Sequence, residues 1–405
     1  MSLMASHPVL PFDSPDAATM ALVERLAPLD CEQVQLAACL GRVLAVPVTA
    51  DRPSPPCDVS AMDGYALRLV DLSATSIRLA GEASTGRAPL ELPKGLALRI
   101  VTGAPLPRGA ETVIRREDVE EMPDAIRLIA PREAISAGQH IRRMGENIAE
   151  GRVVVAEGRL ITPAAIAAAA AFGAARLSVR KKLRVALIVT GDELIEVSQT
   201  PRPWELRDSN GPTLCALLGP LGWAELLSVQ RAVDDFQETR RMVEGALADC
   251  DALLLTGGVS MGVHDHVPDV LRACGAEVVF HKLPIRPGKP MLGAVGPNGQ
   301  AIFGLPGNPV SVMVTARRLA IPTFLKKAGG QPPPPAQVGI ANADDRSIPL
   351  HWFRLVTCIG PGLAELIDNR GSGDIVAASR SDGFVEQRPQ DGALGPLDFY
   401  PWGFA

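Results

Sequence analysis

The chain is 405 residues long, 47% apolar and 21% charged, with a formal net charge of −5. That length suits several domains of roughly 100–200 residues each, and the balance is that of a globular protein. The acidic net charge argues against a general nucleic-acid binder, and the longest apolar stretch, Ile161 to Gly173, is too short to cross a bilayer.

The opening MSLMASHPVLPFDSP has no basic segment followed by an apolar one, so no secretory signal is expected. Residues 13–45 then read as helical. Ser14 or Asp16 is placed to cap a helix through Leu26, and a second helix is expected from Glu32 to Leu40. From Asp51 to Glu157 the pattern changes to short β-prone runs between Pro and Gly, among them those starting at Ile77, Ala97, Thr112 and Arg152. Thr162-Pro163 caps and starts an Ala-rich helix ending near Phe172-Gly173. This order implies a helical, linking domain (12–50 with 145–180) interrupted by a β-rich domain (51–144).

Residues 181–328 alternate strand and helix. Strands are expected from Leu183, over Ala224–Val229, Ala252–Leu255, Glu277–His281 and Ala301–Phe303. Helices are expected from Asn210, over Phe236–Ala248, from about His266 to Ala273, and from Pro309 to Lys326. The rhythm predicts a doubly wound α/β domain. Gln331-Pro-Pro-Pro-Pro-Ala reads as a stiff linker, and residues 336–405 as a small C-terminal β domain. The fold class is therefore α/β plus β, an elongated multidomain chain. Seven cysteines, at 31, 39, 57, 215, 250, 274 and 358, form no C-x-x-C pair. Their odd number and spacing point to a reducing, cytoplasmic setting rather than a disulfide framework.

Ligands of doubly wound folds collect at the C-terminal ends of strands. Three expected strands run there into Val189-Thr-Gly-Asp-Glu-Leu, Leu253-Leu-Leu-Thr-Gly-Gly-Val-Ser-Met-Gly and Gly304-Leu-Pro-Gly-Asn-Pro-Val-Ser. Glycine lets backbone N–H groups approach a phosphate closely. Arg286 and Lys289, fixed in Ile285-Arg-Pro-Gly-Lys-Pro, add cations suited to an oxyanion. Asp192, Glu193, Asp234 and Asp265 fall at or just after strand ends, where Mg²⁺ would bridge carboxylate and phosphate oxygens.

Two other chemistries compete for the same loops. His264 and His266 are two apart, but zinc would need further ligands, and no H-E-x-x-H or Cys cluster supplies them. Gly258-Val-Ser-Met-Gly262 matches the nucleophile elbow of a serine hydrolase, for which Asp344 or Asp345 and His351 would complete the order. Those partners lie beyond the proline linker, and no oxyanion loop precedes the serine. In the β insertion, Asp63 precedes a glycine turn, Thr102 ends a strand, and Arg142 and Arg143 flank another turn.

SAMDGYA, IVTGAP, RRMGEN, TGDEL, RDSNG, LTGGVSMG followed by Asp265, RPGKP and GLPGNPVS occur in this order. That succession, from about residue 12 to the C-terminus, resembles the molybdopterin molybdenumtransferase (molybdenum insertase) family, which includes bacterial MoeA proteins and the gephyrin E domain. The resemblance implies a homodimer that takes adenylylated molybdopterin and molybdate, inserts molybdenum at the dithiolene and releases AMP with Mg²⁺. It implies a cleft shared between the α/β domain of one subunit and the β region of the other. Glu193, Asp234 and Asp265 would be the essential acids of one side and Asp63 the acid of the other. Glu193 and Asp265 would hold the metal. Substrate would be bound by Thr102, Thr190, Gly191, Asp192, Ser209, Gly257, Gly258, Ser260, Arg286, Lys289, Pro306, Gly307, Asn308 and Pro309. Val263 and His266 depart from the acid and the tyrosine common at their positions. Two alternative functions are an adenylyltransferase acting one step earlier on molybdopterin, itself a possible partner, and a catalytically idle dimeric scaffold. Neither nucleic acid nor membrane is an expected partner.

Overall fold

The computed structural model describes residues 12–260, 266–389, 391–393 and 395–403. It divides into two compact units. One comprises the N-terminal segment through Val46, Glu157–Ile166 and the chain from Arg176 onward; the other comprises Pro47–Ala156 and Ala167–Ala175.

The larger unit is built on a six-stranded sheet in the order Ala224–Ala232, Leu183–Thr190, Ala252–Thr256, Ala301–Leu305, Leu292–Val295, Glu277–His281. The first four strands are parallel, and Leu292–Val295 runs against its neighbours. Successive side chains of a strand face opposite ways, and the apolar runs fill two cores accordingly. Val185, Leu187, Leu254 and Phe303 pack with helices Asn210–Leu218, Pro309–Thr315 and Ile321–Lys327. Ala186, Ile188, Leu253 and Ile302 pack with Phe236–Asp249 and Val267–Ala273 on the other face. Helices on both faces make the domain doubly wound, as the alternating rhythm predicts. The chain passes from Leu183–Thr190 to Ala224–Ala232 on one side, then crosses to Ala252–Thr256 on the other. The direction of winding therefore switches between the first and third of these strands, opening a crevice at their C-terminal ends.

The N-terminal segment departs from expectation. Ser14 caps a helix over Pro15–Val23, whose Ala18 and Leu22 are buried in the α/β core. The helix expected from Glu32 to Leu40 is instead a strand, Cys31–Gln35, and a 3₁₀ turn, Leu36–Ala38. The strand pairs antiparallel with Arg176–Arg180, from Cys31 opposite Arg180 to Gln35 opposite Arg176. A partner remote in sequence decides its conformation, which local propensity cannot register.

The helix expected from Pro309 to Lys326 is also interrupted. It is α-helical over Pro309–Thr315, widens to a π turn over Ala316–Ala320 and resumes over Ile321–Lys327. Pro322 has no N–H to donate and crowds the carbonyl four residues back, which favours a widened turn. The π turn presents Arg318 to Glu386 at 2.7 Å, and the other Glu386 oxygen takes His351 Nδ1 at 2.7 Å. These contacts tie the α/β domain to the C-terminal sheet. In that sheet Ala336–Ile340, His351–Gly360, Leu363–Leu366, Gly383–Gln387 and Leu397–Pro401 close on themselves, and Ile285–Arg286 adds a short parallel edge. Phe353, Leu355, Phe384 and Tyr400 belong to the same continuous core as Leu187 and Phe303.

The second unit is a six-stranded sheet in the order Thr112–Arg115, Gly64–Leu67, Leu96–Ile100, Ile77–Ala83, Ala125–Leu128, Val119–Glu121. Tyr65, Ile77, Ala97, Ile114 and Ile126 form its core. Among the described residues, no helix is long and apolar enough to cross a membrane.

Two expectations for stability follow from these contacts. A Cβ on Gly293 would lie 2.3 Å from Phe280 Cε1, and Phe280 is buried among aromatic rings. Gly293→Ala is therefore expected to cost about 1–3 kcal/mol by overpacking, read as a lower thermal midpoint; an unchanged midpoint would show that the ring moves freely. For Glu386, burial pushes the carboxyl up, but the His351 ring and the Arg318 guanidinium outweigh it and hold the pKa at about 2. Its stabilisation is thus full above its ordinary value of 4.5 and is lost as pH falls through about 2. Glu386→Gln should lower the thermal midpoint at pH 7, with the gap to the parent protein narrowing between pH 4.5 and 2; a gap independent of pH would contradict the pairing.

Candidate active site at the strand switch point

The crevice at the switch point is a cavity of about 320 Å³. Its walls come from the four segments that follow the parallel strands. Thr190, Gly191, Glu193 and Leu194 follow the first, and Asp234 the second. Gly257, Gly258, Val259 and Ser260 follow the third, and Pro306, Gly307 and Asn308 the fourth. Pro290 and Asn210 complete the lining.

The glycine pair is a backbone requirement. Gly257 and Gly258 take φ of +86° and +63°, where L side chains are disfavoured. A Cβ on Gly257 would lie 2.7 Å from the Thr190 carbonyl oxygen. The chain can therefore turn back sharply as the strand ends. Thr190 Oγ1 donates to the Thr256 carbonyl at 3.1 Å, and Gly257 N–H donates to the Leu305 carbonyl at 3.1 Å. Three of the four segments are thus cross-linked at the cavity floor.

The acids divide by role. Asp192 and Asp234 join two loops reciprocally: Asp234 N–H donates to Asp192 Oδ1 at 2.9 Å, and Asp192 N–H to Asp234 Oδ2 at 3.3 Å. Asp235 caps helix Phe236–Asp249 through Glu238 N–H, leaving Asp234 on the cavity wall. Glu193 and Asp234 are the carboxylates of the lining. His266 stands edge-on to Phe236, its ring centroid 6.3 Å away, and borders a small hollow with Asp234 and Gly258. Asp265 and His264 lie outside the described residues. Among the described residues, no group of three His, Cys, Asp or Glu side chains is placed to hold a metal alone.

Ser209 precedes helix Asn210–Leu218 without capping it by its side chain. Asp208 takes that role, its Oδ1 accepting from Asn210 N–H and Gly211 N–H at 2.9 Å each. Asn210 Nδ2 donates to the Gly307 carbonyl at 2.8 Å, bracing the LPGNP turn. Pro309 opens the next helix, and Asn308 Nδ2 donates to Ser372 Oγ at 3.0 Å. Asp208 and Asn210 went unnoticed as functional groups, although an Asx residue just before a helix is a legible capping signal.

Arg286 and Lys289 do not line the switch-point cavity. Lys289 is exposed. Arg286 lines a second cavity, of about 330 Å³, with Pro287, Trp352, Arg354, Arg370 and Ser372. Its guanidinium lies 5.6 Å from the Trp352 ring centre, on whose ring Arg346 and Arg354 also lie. Asp344 binds Arg346 and Arg354, and its carboxyl is held below the usual range, first by the Arg354 hydrogen bonds. Arg370 acts on Asp374, whose carboxyl is held below its usual range first by the Arg370 backbone N–H at 3.0 Å and also by the Arg370 charge. The same contacts remove the serine-hydrolase alternative: His351 is engaged by Glu386 and Asp344 by arginines, within the C-terminal sheet.

In the second unit, Asp63 Oδ1 accepts from both the N–H and the hydroxyl of Thr102, each at 2.7 Å. Those bonds, the backbone one first, hold the exposed Asp63 carboxyl below its usual range and so ionised at neutral pH.

Comparison with known proteins agrees with this geometry. Residues 14–173 match the family model for the MoeA N-terminal region (domain I and II), and residues 186–326 match a probable molybdopterin binding domain. The molybdopterin molybdenumtransferase of Synechococcus elongatus is 40% identical over 309 residues, 74% of this chain and 76% of that protein. That of Haemophilus influenzae is 35% identical over 318 residues, 78% and 77% of the two chains. The crystal structure of the molybdopterin biosynthesis MoeA protein from Pyrococcus horikoshii OT3 covers 96% of this chain and 99% of its own, with a TM-score of 0.80 and 25% identity. On these matches, the chain belongs to the MoeA family of molybdopterin molybdenumtransferases.

Proposed function

We propose that this transferase of molybdenum cofactor biosynthesis inserts molybdenum from molybdate into the dithiolene of adenylylated molybdopterin and releases AMP. The observation that carries the reading is the switch-point cavity, with glycine turns on one side and the Glu193 and Asp234 carboxylates on the other. Thr190, Gly191, Gly257, Gly258, Ser260, Pro306, Gly307 and Asn308 would cradle the phosphate-bearing part of the substrate. Asp192, Ser209 and Pro309 would support these turns. Backbone amides and hydroxyls suit an anion without adding competing charge.

Magnesium fits the donor chemistry of this wall, because Mg²⁺ takes one or two carboxylates and fills its other positions with water and substrate phosphates. Glu193 would hold it together with Asp265. Bound there, the ion would act as a Lewis acid on the phosphoanhydride. The protein's own share is to orient the phosphates, and no nucleophilic side chain is required.

Arg286 and Lys289 are the cations for the second anion. Arg286 and Arg370 face a cavity lined also by Ser372 and by the Asp368 carboxylate, and their guanidinium groups would take molybdate there. Asp63, fixed by Thr102, would act in the site of a second copy, so that the working form is a homodimer with shared sites.

Glu193→Gln and Asp265→Asn should each lower molybdate-dependent AMP release by about 100-fold or more without changing the melting temperature. Full turnover in both would refute the site. If sites are shared, equal amounts of Asp63→Asn and Glu193→Gln protein, mixed and allowed to exchange subunits, should recover about a quarter of parent activity, since half the dimers then carry one intact site. No recovery despite proven exchange would place Asp63 and Glu193 in the same subunit's site.

A further inference from the structure

Three carbonyl oxygens of the glycine turn are committed to the protein interior. Thr256 O accepts from Thr190 Oγ1, Gly258 O from Val267 N–H at 3.1 Å, and Val259 O pairs with His281 Nε2 at 2.7 Å. A carbonyl only accepts, so His281 carries a proton on Nε2. In a planar trans peptide the C=O and the following N–H point in opposite directions. Drawing Val259 O toward His281 therefore turns the Ser260 N–H the other way. That direction faces the cavity that Val259 and Ser260 line and His281 does not. The Thr256 peptide supports the rule: its carbonyl meets Thr190, and the next N–H, of Gly257, reaches across to Leu305.

His281 ends the Glu277–His281 strand, at the edge of the sheet remote from Asp234. Its neighbour Phe280 is buried, which fixes the backbone from which the imidazole projects. The ring itself is half-buried and spans from this strand to the turn.

We propose that His281 is a positioning residue that aims the Ser260 amide at an anionic oxygen of the bound nucleotide. This rests on the reading that an adenylylated pterin occupies the switch-point cavity. His281 touches no substrate. It acts by holding one peptide plane, and the aligned N–H binds ground state and transition state alike.

The test compares His281→Gln with His281→Glu, which are equal in size. Glutamine Nε2 takes the place of the ring nitrogen and donates; ionised glutamate sets a second acceptor against the Val259 oxygen. His281→Gln should keep KM for adenylylated molybdopterin within about twofold of the parent value. His281→Glu should raise it about tenfold with kcat within about threefold, the pattern of lost uniform binding. If the glutamate variant does not fold, His281→Phe, a ring without a donor, takes its place. Equal KM in the donor and non-donor variants, or a fall in kcat alone, overturns the assignment; a purely structural role would lower the melting temperature and leave KM unchanged. Calorimetric titration with AMP separates this inference from the reading beneath it. A tenfold weaker AMP affinity in the non-donor variant, with no turnover even in the parent protein, would keep the role of His281 and sink molybdenum insertion. Unchanged AMP affinity and KM beside normal turnover would do the reverse.

Discussion

Where the strands Leu183–Thr190 and Ala252–Thr256 part, the Thr190 hydroxyl holds the Thr256 carbonyl. The rest of the site depends on this contact between neighbouring parallel strands, after which the chain passes to opposite sides of the sheet. Winding direction changes there, so no helix covers the gap. Most of what lines the cavity belongs to short segments leaving the tops of strands, with Asn210 and Pro290 completing it. Its geometry is inherited from the hydrogen-bonded sheet beneath it.

That inheritance explains how an acidic protein can hold an anionic ligand. The net charge of −5 would repel it at long range, yet the near field is set by backbone dipoles. Carbonyls of the glycine turn are drawn inward by Thr190, Val267 and His281; the Gly257 N–H is spent on the Leu305 carbonyl, and the Ser260 N–H is the amide proposed to face the cavity. The carboxylates of Glu193 and Asp234 stand on other segments and suit a cation that arrives with the phosphates.

Much of this was legible in the sequence because its causes are local. Apolar runs ending in glycine marked the parallel strands, and period-two burial followed from them. Thr190, Gly191, Glu193, Asp234, Gly257, Gly258, Ser260, Pro306, Gly307 and Asn308 were named from their motifs and share one cavity. What escaped notice has nonlocal causes. Residues 31–35 form a strand because residues 176–180 offer an edge. Arg286 leaves the α/β domain because Ile285–Arg286 pairs with His351 and Trp352. His281 matters through a bond to a residue 22 positions earlier. Spacing can suggest which residues share an element, but not which distant backbone an imidazole will find.

The core that Phe353, Leu355, Phe384 and Tyr400 share with Leu187 and Phe303 carries a consequence for how this architecture can be divided. Cutting at the proline stretch would not release a self-sufficient α/β module. It would bare an aromatic face and take from the buried Arg318 guanidinium its Glu386 partner, leaving Asp16 as its carboxylate, and such a fragment would tend to aggregate. An α/β module able to stand alone would need polar side chains where this chain has rings, so the two parts of the chain are one folding unit rather than separable pieces.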